Sequence, residues 1–206
     1  PMEYPTNGAG DFRLAALSVR NSNGDSVTDV RYVSHKIYDG KPALPGLPAT
    51  FDRDGAAQTL EVETMDPVTG LKATLLYTVF EDYPVLAKSV RLENTGSAPV
   101  VLERAFSSCV DLPTMDLDMI HVYGEWNKEN TTTRTPLRHG LQAVQSKRGM
   151  TGHHYNPMLV LAKHTATEEA GEAWGMNLIY SGNFSLEVEV NSNGCPRVLA
   201  GINPTE

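Results

Sequence analysis

The sequence predicts an all-β protein, a large antiparallel β-sandwich with very little helix. Three observations lead to this prediction. Apolar residues alternate or run together in short segments rich in Val, Leu and Thr, and turn signals separate these segments at the spacing typical of sandwiches. No stretch longer than about ten residues shows a capped helical period. With 206 residues, 40% of them hydrophobic, the chain can bury a core, which excludes disorder, coiled coil and collagen.

The elements follow from this pattern in chain order. Strands are predicted over 27–38, 59–65, 71–80, 85–92, 100–106, 158–163, 173–180, 184–190 and 197–202. Turn pairs such as Asp66-Pro67 and Ala98-Pro99 break the runs, and three prolines stiffen a long ordered loop over 41–50. The mean strand length of about five to six residues gives roughly ten to twelve strands in all. One short segment, 165–172, has a helical composition that suits a surface turn equally well.

Charge and composition exclude several classes of function. The net charge is −8, and Lys and Arg form no cluster, so no nucleic-acid partner is expected. The longest apolar run, 158–162, is too short to cross a bilayer and no basic leader precedes an apolar segment, so no membrane partner is expected either. Cys109 and Cys195 provide no disulfide framework, and the pattern favours reduced thiols in a cytoplasm.

A glycine-rich turn near the start, Gly8-Ala9-Gly10-Asp11-Phe12-Arg13, is the first candidate site. In an extended segment Asp11 and Arg13 share one face. They are interpreted either as an ion pair that closes the turn or as a polar hook for sugar hydroxyls, where Asp accepts and Arg donates. The turn is no dinucleotide fingerprint, because no strand precedes it and no helix follows.

Two adjacent histidines, His153 and His154, precede the strand predicted over 158–163. On an extended chain their rings point to opposite faces, so a shared metal would need a bulge, and no metal site is expected. One of them could act as a proton donor in a sandwich enzyme of the sugar 1-epimerase type. The other interpretation is structural hydrogen bonding at the junction of loop and strand.

Paired carboxylates matter because glycosidic cleavage normally uses two of them. Glu187 and Glu189 alternate with apolar residues in FSLEVEV, which predicts a solvated strand face. Asp116 and Asp118 fall in a predicted loop, and the third pair is Glu168 and Glu169. No catalytic pair can be assigned within this chain.

Aromatic side chains are a second signal of sugar binding, because pyranose faces stack on rings. Trp126 lies in a polar region, where it can contact a ligand or serve as a packing anchor. Trp174 begins a predicted strand and is expected in the core.

Several segments together resemble the N-terminal β-supersandwich domain, a galactose-mutarotase-like fold, of microbial α-galactosidases of glycoside hydrolase family 36. They are, in order, GAGDFRLAALSV, VTDVRYVSHKIYDGKPALPGLPATF, HVYGEWNKE, LQAVQSKRGMTGHHYNP, YSGNFSLEVEV and RVLAGINP. The resemblance extends over nearly the whole chain. It implies a single supersandwich domain over residues 1–206, incomplete at its N-terminus, with the catalytic (β/α)8 barrel and its two aspartates outside this sequence.

The resemblance also implies a role. The parent would be a retaining hydrolase of terminal α-galactosides of the melibiose and raffinose type, cytoplasmic and without a cofactor. This segment would be inactive alone. In tetrameric members the domain packs on the barrel and lends loop residues to a neighbouring subunit's active site, which makes Asp11 the best candidate contact, with Phe12 and Arg13 beside it and Trp126 as a further one. The alternatives are an independent carbohydrate-binding module and a mutarotase-like epimerase that uses His153 or His154.

Overall fold

The computed structural model describes residues 2–46, 48–53 and 55–203, and in this part of the chain every regular element is a β-strand. Thirteen strands are formed there, slightly more than the sequence predicts. The all-β prediction is confirmed. Within the described residues no helix has the length and apolar character needed to cross a bilayer. The chain divides into two compact units: an N-terminal unit, Tyr4–Ser108, and a C-terminal unit, Cys109–Glu206 with Pro1–Glu3.

The N-terminal unit contains a four-stranded antiparallel sheet in the order β2-β3-β4-β5, and a further pair in which β1 runs antiparallel to β6. Its strands are β1 (Leu17–Arg20), β2 (Arg31–Asp39), β3 (Ala57–Met65), β4 (Leu71–Phe80), β5 (Tyr83–Asn94) and β6 (Val101–Asp111), the last of which continues beyond the unit's boundary. The two inner strands, β3 and β4, bury many of their own side chains. The outer strands, β2 and β5, leave their side chains exposed or only partly buried.

The C-terminal unit is built from seven strands among its described residues: β7 (Asp118–Glu125), β8 (Lys128–Pro136), β9 (Gly140–Ser146), β10 (Tyr155–Ala162), β11 (Ala173–Asn177), β12 (Phe184–Val190) and β13 (Pro196–Ile202). They form a sheet in the order β11-β10-β7-β8 and a second run in the order β13-β12-β9. Apolar side chains of both form one core, with Leu159 and Leu161 from the first and Leu186 and Val188 from the second. Burying each such side chain stabilises the fold by about 1.5–3 kcal/mol.

Two predicted strands, 71–80 and 184–190, match β4 and β12 residue for residue. Of the two interpretations of residues 165–172, the surface turn is confirmed, since these residues form turns and bends rather than a helix. In the predicted loop, residues 41–46 and 48–50 form no strand, while Leu47 lies outside the described residues. Pro204, which ends the last of the resembling motifs, also lies outside them.

Candidate functional site

The loop over residues 8–14 is fixed at both ends by hydrogen bonds within the N-terminal unit. On one side the Thr6 hydroxyl donates to the Thr28 carbonyl at 2.5 Å, and Thr28 N donates to the Asn7 carbonyl at 3.0 Å. On the other side Ala16 N donates to the Pro5 carbonyl at 2.9 Å. These bonds hold the loop in one place although it contains no strand of its own.

Two glycines allow the chain to make this loop. Gly8 has φ +90° and Gly10 has φ +81°, in the left-handed region that other residues rarely adopt. A Cβ atom at Gly8 would also lie 2.7 Å from Cγ1 of Val27. Gly8 therefore cannot be replaced without moving Val27 or the loop.

Asp11 and Arg13 form a tight ion pair across the loop. Oδ1 of Asp11 accepts from the backbone amide and from Nε of Arg13, both at 3.1 Å, and Oδ2 accepts from Nη2 at 2.9 Å. Each side chain is only 16% exposed. The interpretation of the two as a pair that closes the turn is confirmed, and their contact with a sugar stays a prediction.

Phe12 lies between the two paired residues and is fully exposed, with a relative accessibility of 100%. Burying a phenylalanine side chain is worth about 1.5–3 kcal/mol, so leaving one in water forgoes that stabilisation. A fixed loop with an exposed aromatic side chain is a feature of binding surfaces rather than of packing.

Trp126 lies in the C-terminal unit, in the two-residue turn between β7 and β8. It is 86% exposed, so its interpretation as a packing anchor is wrong. The turn is well defined: Asn127 adopts φ 66°, which Asn tolerates, and its amide donates to Oε1 of Glu129 at 2.9 Å. Glu125 and Lys128 close the hairpin as a register pair. The other tryptophan, Trp174, is 43% exposed rather than buried as predicted, because β11 is an edge strand.

His153 and His154 occupy a turn immediately before β10, not an extended segment. Their ring centroids are 4.7 Å apart at an interplanar angle of 33°, so the expectation that the rings point to opposite faces is wrong. The carbonyl of His154 accepts from the Gly124 amide at 3.2 Å, which is the structural role proposed for this junction. Among the described residues no three His, Cys, Asp or Glu side chains are grouped so that they could hold a metal ion.

The prediction of a solvated face for Glu187 and Glu189 is wrong. Glu187 is only 3% exposed and Glu189 is half-buried, because β12 is an inner strand with partners on both sides. Oε1 of Glu187 accepts from the Ser185 hydroxyl at 2.7 Å, and Oγ of Ser185 in turn accepts from Nε2 of Gln145 at 2.9 Å. Hydrogen bonds of this kind make the burial of a carboxylate tolerable.

A polar network around Asp118 was not predicted from the sequence. Asp118 begins β7 and is buried, rather than lying in a loop. Its Oδ2 accepts from Nε of Arg134 at 2.6 Å, and its Oδ1 lies 2.7 Å from Nδ1 of His164, whose Nε2 lies 2.9 Å from Asp116. Burial raises the pKa of Asp118, but Arg134 and His164 outweigh it and leave that pKa below its usual value. Partners 16 and 46 residues away leave no local signal in the sequence.

The described residues form an all-β domain of antiparallel sheets with an exposed aromatic side chain on an anchored loop, and comparison with known proteins identifies the family. A family model described as the glycosyl hydrolase family 36 N-terminal domain matches residues 1–206. The chain belongs to glycoside hydrolase family 36, as its N-terminal domain.

Similar proteins agree in sequence and in structure. The chain is 46% identical over 203 residues to the α-galactosidase AgaA of Geobacillus stearothermophilus, covering 98% of this chain and 28% of that protein. It is 41% identical over 204 residues to α-galactosidase C of Emericella nidulans, with coverage of 99% and 27%. The crystal structure of AgaA matches with a TM-score of 0.97, and so does an AgaA variant in complex with raffinose. The chain thus spans just over a quarter of the length of these relatives.

Proposed function

We propose that the full-length protein carrying this domain is a retaining α-galactosidase that hydrolyses terminal α-galactosides of the melibiose and raffinose type. One observation carries the proposal: 98% of the chain aligns at 46% identity with the α-galactosidase AgaA. Structures of AgaA variants in complex with stachyose and with raffinose support this substrate class. The protein would be cytoplasmic and would need no cofactor.

In this proposal the domain itself is non-catalytic. It contributes to assembly, as part of a homotetramer in which the domain packs on a catalytic barrel, and the 8–14 loop completes the sugar pocket of a neighbouring subunit. The support comes from the loop, which is anchored at both ends, exposes Phe12 fully and holds the Asp11 carboxylate in a defined orientation. An ionised carboxylate accepts hydrogen bonds from adjacent sugar hydroxyls. Trp126, on its own hairpin, would offer a second aromatic surface.

The first experiment measures hydrolysis of melibiose and raffinose by the full-length protein and by Asp11→Ala. We expect turnover by the wild-type protein, and a KM raised about tenfold or more in the variant, because a charge-assisted hydrogen bond to substrate is lost. Asp29→Ala is a matched control, since Asp29 also pairs with an arginine two residues on but does so in the exposed segment just before β2. Absence of α-galactoside turnover would contradict the proposed activity, and equal kinetics of Asp11→Ala and Asp29→Ala would contradict the role of the loop.

A further inference from the structure

We infer that Arg13 is a positioning residue for the sugar-binding carboxylate: it sets the orientation of Asp11 and acts on substrate only through Asp11. This inference rests on the proposed function of the 8–14 loop. It assigns different roles to two residues that the sequence pattern places together as one polar hook.

The geometry of the Asp11–Arg13 pair supports this role. Three donors of Arg13, its backbone amide, Nε and Nη2, are directed at the two carboxylate oxygens of Asp11 within 3.1 Å. A guanidinium that donates through Nε and Nη2 to both oxygens fixes the plane of the carboxylate as well as its position. The backbone amide adds a contact that no side-chain movement of Arg13 can remove.

The burial of the pair contrasts with the exposure of the residue between its members. Asp11 and Arg13 are each only 16% exposed, whereas Phe12 between them is fully exposed. A pair shielded to this extent is less screened by solvent than a surface ion pair, so it holds its geometry better. The loop therefore holds a carboxylate in a fixed orientation next to an exposed aromatic side chain, and the guanidinium serves as the clamp for that carboxylate.

A second aspartate–arginine pair in the same unit has the same spacing but a different geometry. Asp29 and Arg31 repeat the spacing of two residues, and Nε and Nη2 of Arg31 both approach Oδ2 of Asp29 at 2.8 Å. Both donors reach one oxygen only, and the two side chains are 51% and 70% exposed. This pair leaves the carboxylate plane unfixed, which makes Arg31 the matched control for Arg13.

The test is a double-mutant cycle in the full-length protein with raffinose as substrate. We expect Arg13→Gln to raise KM about tenfold and to leave kcat within about twofold, because the loss concerns binding and not the chemical step. Arg13→Lys should recover only part of the affinity, since an ammonium cannot make the fork of two bonds. In an Asp11→Ala background Arg13→Gln should have no further effect, and Arg31→Gln should behave as the wild type.

Three outcomes would overturn the inference. Additive losses in Asp11→Ala/Arg13→Gln would show that Arg13 binds substrate directly, and wild-type KM in Arg13→Gln would show that the clamp is not needed. A fall in kcat of Arg13→Gln together with faster hydrogen exchange far from residues 8–14 would show a general folding role of Arg13. If Arg13→Gln does not fold, the same measurements on Arg13→Lys decide between positioning and folding. If Asp11→Ala itself leaves KM unchanged, the proposed function of the loop fails first and the inference falls with it.

Discussion

Among single residues, Asp66 shows how a buried carboxylate can organise a turn. It lies directly after β3 and is only 3% exposed. Its Oδ1 accepts from the amides of Val68 at 2.8 Å and Thr69 at 3.2 Å, and its Oδ2 accepts from the amide of Asp29 at 3.0 Å. Burial raises the pKa of Asp66, but the backbone donors outweigh it, and the pKa stays below its usual value. One side chain thus ties the β3–β4 turn to the segment before β2.

Asp66→Ala should loosen this junction, because three amide donors lose their acceptor. We expect a loss of local stability of about 2 kcal/mol, measured as faster hydrogen exchange at the amides of residues 29, 68 and 69. Since the folded pKa lies below the unfolded value of about 3.9, the contribution is complete above that pH and disappears as the pH falls through the folded pKa. The difference between variant and wild type should therefore shrink below about pH 4.

Asp25→Asn is the control for that experiment, because Asp25 bonds to Asn21 and Asn23 in an exposed turn. It should change exchange only around residues 25–27. Equal protection of residues 68 and 69 in Asp66→Ala and wild type would contradict the role assigned to Asp66.

At the scale of elements, the connection between β10 and β11 shows why residues 165–172 form a surface turn rather than a helix. The side chain of Arg134, on β8, donates to the carbonyls of Lys163 at 2.8 Å, His164 at 3.0 Å and Ala166 at 2.7 Å. The carbonyls of His164 and Ala166 are acceptors that a helix over 165–172 would use in its first turn, and the guanidinium occupies them instead. The composition of the segment was suitable for a helix, and a tertiary contact decided against it.

Replacing Arg134 should release this connection without separating the strands. In Arg134→Met we expect faster hydrogen exchange over 163–172, by a local free energy of about 1 kcal/mol or more, since the guanidinium is only partly shielded from water. Lys128→Met is the control, because Lys128 forms an exposed ion pair at the other end of the same hairpin. Unchanged exchange over 163–172 would show that the turn is held by its own backbone bonds.

The strands that the sequence revealed and those it did not differ in burial. β4 and β12 are inner strands whose apolar runs stand out, so their bounds were predicted. β8 is an edge strand of Thr and charged residues with almost every side chain exposed, so no face carries an apolar period. β9 is also an edge strand, and the turn before β8 lacks the glycine that usually marks a hairpin.

The candidate site was predictable only in part. The spacing in Asp11-Phe12-Arg13 revealed the ion pair, because residues i and i+2 share a face. It did not reveal the exposure of Phe12. Nor did it reveal the anchoring of the loop, which depends on hydrogen bonds between residues 11 to 22 positions apart. The network of Asp118 was missed for the same reason.

At the scale of the whole molecule, the chain carries its −8 charge largely outside the candidate site, since Asp11 is paired with Arg13. A domain that spans just over a quarter of its relatives can act either as part of a larger enzyme or as a sugar-binding module by itself. The exposed Trp126 favours testing the second possibility, because exposed aromatic rings stack on sugars.

The purified 206-residue chain should neither hydrolyse a chromogenic α-galactoside nor bind raffinose at millimolar concentrations. The physical reason is that the 8–14 loop offers one carboxylate and one aromatic ring, too few contacts to offset the loss of freedom of a bound sugar unless a second surface encloses it.

The chain has two tryptophans and Trp126 is 86% exposed, so its fluorescence reports directly on ligand at the β7–β8 hairpin, with Trp126→Phe as control. Calorimetry with galactose, melibiose and raffinose, after circular dichroism has established the β-fold, measures the affinity. A dissociation constant of about 1 mM or tighter, with a fluorescence change lost in Trp126→Phe, would make the domain a binding module, and hydrolysis by the chain alone would overturn its non-catalytic role.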